Sequence, residues 1–130
     1  MAALEAQHRR HGDRVTYLIV YIREAHPEDG WVLEENRAAG VSVRDPRSFE
    51  ERVAVAATCA LVLPTTIPML LDAPDDPVAS AYGGWPDRLY LIGRSGRIAY
   101  QGGEGPYGFD PDALDSAVRA ELDCTRRHRR

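Results

Sequence analysis

The run Val15-Thr-Tyr-Leu-Ile-Val-Tyr-Ile22 is the stretch that decides the fold class of this chain. It is continuously apolar, β-branched and aromatic, which is typical of a strand buried in a parallel sheet. Ahead of it, residues 2–11 are good helix formers and Gly12 is a suitable stop. The sequence therefore predicts a first helix, with no strand before it, followed by a buried strand.

A second long helix is predicted after a polar stretch. Ser48-Phe-Glu-Glu51 has the pattern of a capping box, in which a serine and a glutamate satisfy the first backbone N–H groups of a helix. Helical spacing places Phe49, Val53, Ala56 and Ala60 on one apolar face, which we expect to point inward.

The rest of the chain is punctuated by proline and glycine, which mark the ends of short elements. The predicted elements are a strand at Ile67–Leu71, a short helix from Asp76 to near Gly83, a hairpin of Leu89–Ile92 and Arg97–Tyr100, and a last helix after Asp110 with Leu114, Ala117, Val118 and Leu122 inward. This alternation predicts an α/β fold in three layers. The predicted organisation is one domain over 1–123, with an insert at about 26–46 and a basic tail at 124–130.

Composition excludes several classes of function. The net charge of −4 argues against a nucleic-acid partner, and no apolar run approaches the roughly 20 residues of a membrane span. All 16 basic residues are arginine, which removes lysine nucleophiles and suggests a bacterial host. Two cysteines and no signal peptide predict a reduced, cytoplasmic protein without a membrane partner.

Three blocks of sequence indicate a particular protein family, and they are more specific than the order of the predicted elements. The stretch Tyr21-Ile-Arg-Glu-Ala-His-Pro-Glu-Asp-Gly-Trp31, directly after the predicted strand, resembles the iodothyronine deiodinase family. So do Ser80–Ile92 and Gly96–Phe109, in the family's order. The resemblance implies a thioredoxin-like fold, with a mixed sheet flanked by helices. It also implies reductive removal of iodine from thyroid hormones by a selenocysteine or cysteine, with a thiol reductant as co-substrate.

The same resemblance assigns site residues. Tyr21, Glu24 and His26 match active-site positions, and Arg88 matches an arginine of the substrate pocket. An imidazole beside a selenol or thiol can accept its proton, a carboxylate can hold the imidazole tautomer, and a phenol can donate to developing charge. The ordinary alternative is that Glu24 and His26 are solvated loop residues and that Tyr21 packs within its strand.

Pro68 has a possible role near the active site, and Cys59 and Arg88 each have more than one interpretation. In thioredoxin-like folds a cis-proline lies beside the active site at the place that Pro68 takes in the element order. Cys59 is either a resolving thiol or a packing residue of its helix. Arg88 either binds a substrate carboxylate or pairs with a neighbour such as Asp87 or Asp72.

One departure from the family is large. The family's nucleophile follows a strand that precedes the first helix, and this chain contains neither, so we expect a selenocysteine or cysteine upstream of residue 1 and an inactive chain as numbered. Val15–Ile22 and Pro68–Leu71 should then each lack a ladder neighbour, which sheet closure or a homodimer would repair. His8 and His11 lack a third ligand, so we expect no metal site and no bound cofactor.

The leading hypothesis is a deiodinase-like thiol or selenol oxidoreductase that acts on a small-molecule substrate. A peroxiredoxin-like thiol peroxidase or reductase is an alternative within the enzyme class. A non-catalytic thioredoxin-like binding module is an alternative outside it. A cysteine or selenocysteine ahead of residue 1 distinguishes the enzymes from the binding module.

Overall fold

The computed structural model describes residues 1–25, 44 and 46–127, so most of the predicted insert, including a short helix expected at 31–39, lies outside the described residues. The chain divides into two compact units, Met1–Trp85 and Pro86–Arg130, and the single domain over 1–123 stays a prediction. Helices alternate with short strands, which confirms the α/β class.

No helix within the described ranges is long and apolar enough to cross a membrane. The cytoplasmic location and the homodimer stay predictions.

In its described part the first unit contains α1 (Ala2–His11), β1 (Ile19–Tyr21), α2 (Phe49–Val62), β2 (Met69–Leu71) and α3 (Pro77–Tyr82). The second unit contains β3 (Tyr90–Ile92), β4 (Ile98–Gln101) and α4 (Pro111–Arg127). The last helix therefore continues beyond residue 124, where the sequence predicted a tail.

Strands β1 and β2 pair directly with each other in parallel, with Val20 opposite Leu70 and Tyr21 opposite Leu71. Helix α2 makes the crossover between them, as parallel pairing requires. The ladder extends by one bond at each end, from the Ile19 N–H to the Pro68 carbonyl and from the Asp72 N–H to the Tyr21 carbonyl, both 2.9 Å. This direct pairing agrees with the sheet closure that the sequence analysis gave as one repair, and the loss of a further ladder neighbour stays a prediction.

The strand predicted over Val15–Ile22 is only three residues long. Its length is limited by its partner, since β2 also has three residues and an unpaired backbone does not hold a strand. Leu18, Val20 and Leu70 are 52%, 38% and 49% exposed, so one face of the pair is open among the described residues. The prediction of a strand buried on both faces is wrong for this reason.

Helix α2 begins as predicted. The hydroxyl of Ser48 accepts from the Glu51 N–H at 3.2 Å, and the Glu51 carboxylate accepts from the Arg47 N–H at 2.7 Å. These two bonds satisfy backbone donors at the start of the helix.

The face that α2 buries differs from the predicted one. Of the four residues expected inward, only Ala56 is buried, and Phe49 and Val53 are 47% and 41% exposed. The buried face instead carries Arg52 and Ala56, with Cys59 half-buried one turn further on. The helix turns this way because the Arg52 guanidinium binds backbone carbonyls that follow β2.

The second unit matches its prediction closely. Strands β3 and β4 form an antiparallel hairpin with Leu91 opposite Tyr100, and a register shift follows Leu91. Helix α4 packs on both strands and buries Leu114 and Val118. The Asp110 carboxylate accepts from the Ala113 N–H at 2.9 Å, which caps the helix.

Helix α1 is attached to the loop before β2 by a buried carboxylate. Glu5 is 5% exposed and accepts from the Thr66 N–H and hydroxyl at 2.9 Å, the Thr65 hydroxyl at 3.0 Å and the Arg9 guanidinium at 3.1 Å. These donors, chiefly the Thr66 backbone N–H, lower the pKa of Glu5 to about 2 against the opposing effect of its burial.

Candidate functional site

Two predicted site residues meet where β1 ends. Tyr21 is the last residue of the strand and Glu24 follows three residues later. The Tyr21 hydroxyl donates a hydrogen bond to Oε1 of Glu24. This position lies at the carboxyl end of a parallel strand pair, the edge at which α/β sheets bind their ligands.

The environment keeps Tyr21 protonated. Burial is the largest cause that raises the pKa of the phenol, and the hydrogen bond to Glu24 and the charge of that carboxylate raise it further. The phenol therefore acts at neutral pH as a hydrogen-bond donor that holds one carboxylate oxygen of Glu24.

Helix α2 brings a thiol to the same place. Cys59 is half-buried, and burial raises the pKa of its thiol, with the negative charge of Glu24 acting in the same direction. The charge of Cys59 in turn raises the pKa of Tyr21. The structure thus brings Tyr21 and Glu24 into contact and places Cys59 within electrostatic influence of both, whereas His26 lies outside the described residues.

A buried arginine, missed by the sequence analysis, stands beside this group. Arg52 is 2% exposed, and its Nη1 donates to the Asp72 carbonyl at 3.2 Å, the Ala73 carbonyl at 2.7 Å and Asp76 Oδ1 at 2.7 Å. Its positive charge is the one influence that lowers the pKa of Tyr21. The available signal was the spacing of Arg52, Ala56 and Cys59, which places an arginine on the face of the helix that carries the thiol.

The residue after β2 fixes the neighbouring helix. Asp72 is 2% exposed, and its carboxylate accepts from the backbone N–H groups of Ala73, Val78 and Ala79 at 3.0, 3.1 and 2.8 Å. It therefore caps α3, a role that Asp76 does not fill because the Asp76 side chain binds Arg52.

The aromatic residue Trp85 also contacts the segment that carries Glu24. The Arg23 guanidinium carbon lies 5.2 Å from the centroid of the Trp85 ring, and Nε1 of Trp85 donates to the Glu24 carbonyl at 3.5 Å. The sequence analysis passed over Trp85, and no local pattern indicates this contact.

Arg88 belongs to the second unit. Its Nη2 lies 3.7 Å from Oε2 of Glu104, an ion pair that replaces the predicted pairing with Asp87 or Asp72. Nε of Arg88 and Oδ1 of Asp87 are buried and make no hydrogen bond within the described part of the chain. Burial raises the pKa of Asp87.

Pro68 does not have the geometry that the sequence predicted. Among the described peptide bonds the cis bond is Gly105–Pro106, so Ile67–Pro68 is trans. The Pro68 carbonyl accepts from the Ile19 N–H, which places the proline at the start of the strand pair. Tyr21 lies at the other end of the strand pair, and the place of Pro68 beside the active site stays a prediction.

Neither cysteine forms a disulfide, and Cys124 is exposed on α4. Within the ranges that the structure describes, no group of three or more histidine, cysteine or carboxylate side chains is arranged to hold a metal ion.

Comparison with known proteins gives a consistent result. The sequence model of the iodothyronine deiodinase family matches residues 3–123. A thyroxine 5-deiodinase of Ovis aries is 39% identical over 114 residues, 88% of this chain and 37% of that protein. The thyroxine 5-deiodinase of Mus musculus is 36% identical over 132 residues, 99% of this chain and 42% of that protein. The one of Homo sapiens is 38% identical, over 88% of this chain and 36% of its own length.

The chain thus spans between 36% and 42% of the length of these relatives. All three are mammalian proteins, and they give no support to the bacterial host suggested by the arginine usage. The family match covers both units and includes the Tyr21–Glu24 pair, Cys59 and Arg88. The chain belongs to the iodothyronine deiodinase family, a family of oxidoreductase enzymes.

Proposed function

We propose that this chain supplies proton-handling and substrate-binding residues to a deiodinase-like thiol or selenol oxidoreductase. The observation that carries the proposal is the hydrogen bond between Tyr21 and Glu24 at the end of β1, beside Cys59, in a member of this family. The relatives are named thyroxine 5-deiodinases, so the proposed substrate is an iodinated thyronine.

The proposed reaction breaks a carbon–iodine bond and forms a carbon–hydrogen bond in its place. Iodide is released, and two thiols of a reductant are oxidised to a disulfide, which supplies the two electrons. The electron pair that removes iodine would come from a selenolate or thiolate, which we expect upstream of residue 1. The carbon must gain one proton, so the site needs a group that holds and delivers it.

The residues of this chain would handle that proton. The Tyr21 phenol holds one oxygen of Glu24, and the other oxygen is left to orient the His26 imidazole or to accept a proton. Arg88 would bind the substrate carboxylate. Its 3.7 Å ion pair with Glu104 is long and its Nε makes no hydrogen bond to described residues, which leaves donors for a ligand.

Cys59 would serve as the resolving thiol. Its place beside Glu24 supports this role, because a carboxylate can take the thiol proton when the sulfur attacks. The raised pKa of Cys59 also argues that it is not the primary nucleophile, which must be ionised at neutral pH.

A thioredoxin-like fold is part of the proposal. It is supported by the parallel β1–α2–β2 crossover in the first unit and by the antiparallel β3–β4 hairpin with α4 in the second. The Pro68 geometry is not among its supports.

The binding module is a second candidate that one observation favours. Of the thiols in the described residues, Cys59 has a raised pKa, which disfavours the thiolate that a nucleophile needs, and Cys124 is exposed on α4. A domain without a redox centre would have the same properties.

The test uses the protein extended upstream to include the expected nucleophile. Thyroxine, hydrogen peroxide and a small disulfide are supplied in parallel with dithiothreitol, and iodide release, peroxide loss and thiol oxidation are measured. The proposal expects thiol-dependent iodide release that Glu24→Gln abolishes while circular dichroism stays unchanged. Turnover of peroxide alone would favour the peroxidase, and turnover of no substrate would favour the binding module.

A further inference from the structure

The turn after α3 packs along three consecutive residues that follow β1. A Cβ atom built on Gly84 would lie 3.8 Å from Cδ1 of Ile22, an ordinary van der Waals distance. The Trp85 ring lies under the guanidinium of Arg23 at 5.2 Å, and its Nε1 reaches the Glu24 carbonyl at 3.5 Å. The turn therefore contacts the whole segment that leads to the Glu24 side chain.

Trp85 is not placed as a core residue. It is 39% exposed, and the contacts that fix its ring and its N–H are those to Arg23 and Glu24. A tryptophan combines an apolar body with one N–H donor, which suits it to hold a backbone carbonyl at the edge of a site.

The turn itself is anchored to the buried network. Gly83 ends α3 with a φ of 55°, a conformation that glycine adopts without strain, and directs the chain toward Trp85. The start of α3 is fixed by the three hydrogen bonds to the Asp72 carboxylate. Trp85 is thereby connected to the residues that follow β2.

We propose that Trp85 is a positioning residue, which holds the Glu24 carboxylate against the Tyr21 hydroxyl through its contacts with Arg23 and the Glu24 carbonyl. This inference deepens the proposed function and rests on it for its catalytic meaning. The contact itself can be tested without turnover, because the charge of Glu24 acts on Cys59.

The experiment measures the rate at which iodoacetamide alkylates Cys59 across a pH range that spans the ordinary thiol pKa. Mass spectrometry reads the Cys59 and Cys124 peptides separately, so the exposed Cys124 is an internal reference. The variants are Trp85→Ala, Trp85→Phe, Glu24→Gln and the double variant Trp85→Ala/Glu24→Gln. Tyr107→Ala, at a fully exposed aromatic residue, is the matched control.

We expect Glu24→Gln to speed Cys59 alkylation, because it removes a negative charge that disfavours the thiolate. Trp85→Ala should act in the same direction. A fall of half a unit in the pKa of Cys59 corresponds to about threefold faster alkylation below that pKa. Trp85→Phe keeps a ring under Arg23 and should retain most of the wild-type profile, and Tyr107→Ala should leave it unchanged.

The double variant separates positioning from simple loosening of the structure. If Trp85 acts through Glu24, the double variant alkylates no faster than Glu24→Gln alone. The inference is overturned if Trp85→Ala leaves the profile unchanged, if it accelerates Cys59 equally in the Glu24→Gln background, or if Glu24→Gln has no effect. Absence of iodide release with the expected profile would refute the proposed function and leave the positioning role standing.

Discussion

Two glutamate carboxylates lie near opposite ends of the β1–β2 pair, and the two are held very differently. Glu5 of α1 binds the loop before β2, where it accepts four hydrogen bonds that occupy both of its oxygens, and its pKa falls to about 2. Glu24, at the end of β1, accepts from Tyr21 on one oxygen and acts electrostatically on Cys59. Among the described residues the number of donors distinguishes the two carboxylates: Glu5 accepts from four groups and holds the fold, whereas Glu24 accepts from Tyr21 alone.

The residues around the two carboxylates differ in the same way as the carboxylates themselves. At the Glu5 end, side chains close the loop before β2 onto α1. At the Glu24 end, buried charges of Arg52 and Asp72 fix the elements around the thiol and the phenol. Substitutions at the two ends should therefore separate effects on stability from effects on chemistry.

The largest effect on stability is expected from Arg52→Met. The change removes a buried guanidinium that binds two carbonyls and Asp76, and leaves those acceptors without their donor. We expect a loss of about 3–5 kcal/mol in the free energy of unfolding, measured by urea denaturation. Arg119→Met is the control, because Arg119 is 58% exposed and its pair with Asp115 should contribute less than about 1 kcal/mol. Equal losses in the two variants would contradict the assigned role of Arg52.

A smaller loss is expected from Asp72→Ala. Three backbone N–H groups at the start of α3 lose their acceptor, which should cost about 1–3 kcal/mol in urea denaturation. Asp75 lies in the same turn and is exposed, so Asp75→Ala should change stability by less than about 0.5 kcal/mol. A loss in Asp75→Ala as large as that in Asp72→Ala would contradict the capping role.

Glu5→Gln should change how stability depends on pH. The pKa of Glu5 is about 2 in the folded chain against an ordinary value of 4.5, so its contribution is complete above 4.5 and disappears as the pH falls toward 2. We expect the wild-type midpoint in urea to fall more steeply than that of Glu5→Gln across this window. Parallel curves for the two proteins would show that Glu5 is not held as described.

The smallest effect on stability is expected from Tyr21→Phe. It removes one hydrogen bond from a half-buried ring that stays in place, which should cost about 0.5–1.5 kcal/mol. Tyr107→Phe, at a fully exposed ring, gives the baseline in the same denaturation series. A cost above that of Asp72→Ala would mean that Tyr21 is mainly a structural residue.

Patterns formed by residues close together in the sequence predicted the helix cap, the short helix and the hairpin of this chain. The Ser48 cap of α2, the helix between Asp76 and Gly83 and the Leu91–Tyr100 hairpin all rest on contacts between near neighbours in the sequence. The motif that begins at Tyr21 likewise placed Tyr21 and Glu24 together, because three residues separate them.

Long-range contacts were not predictable in the same way. The pairing of β1 with β2 and the inward turn of Arg52 depend on partners about 20 to 50 residues away, and no periodicity specifies them. The contact of Trp85 with Glu24 spans 61 residues and involves a single N–H. The trans geometry of Ile67–Pro68 also departs from an expectation based on element order alone.

The most direct test makes the same substitution at both ends of the strand pair. Glu24→Gln and Glu5→Gln are compared for iodide release from thyroxine, per folded molecule, in the protein that includes the upstream nucleophile. The account predicts that Glu24→Gln loses turnover and keeps its urea midpoint at neutral pH, whereas Glu5→Gln lowers the midpoint and keeps turnover. The reverse pattern, or equal turnover in both variants, would contradict the assignment of Glu24 to the chemistry.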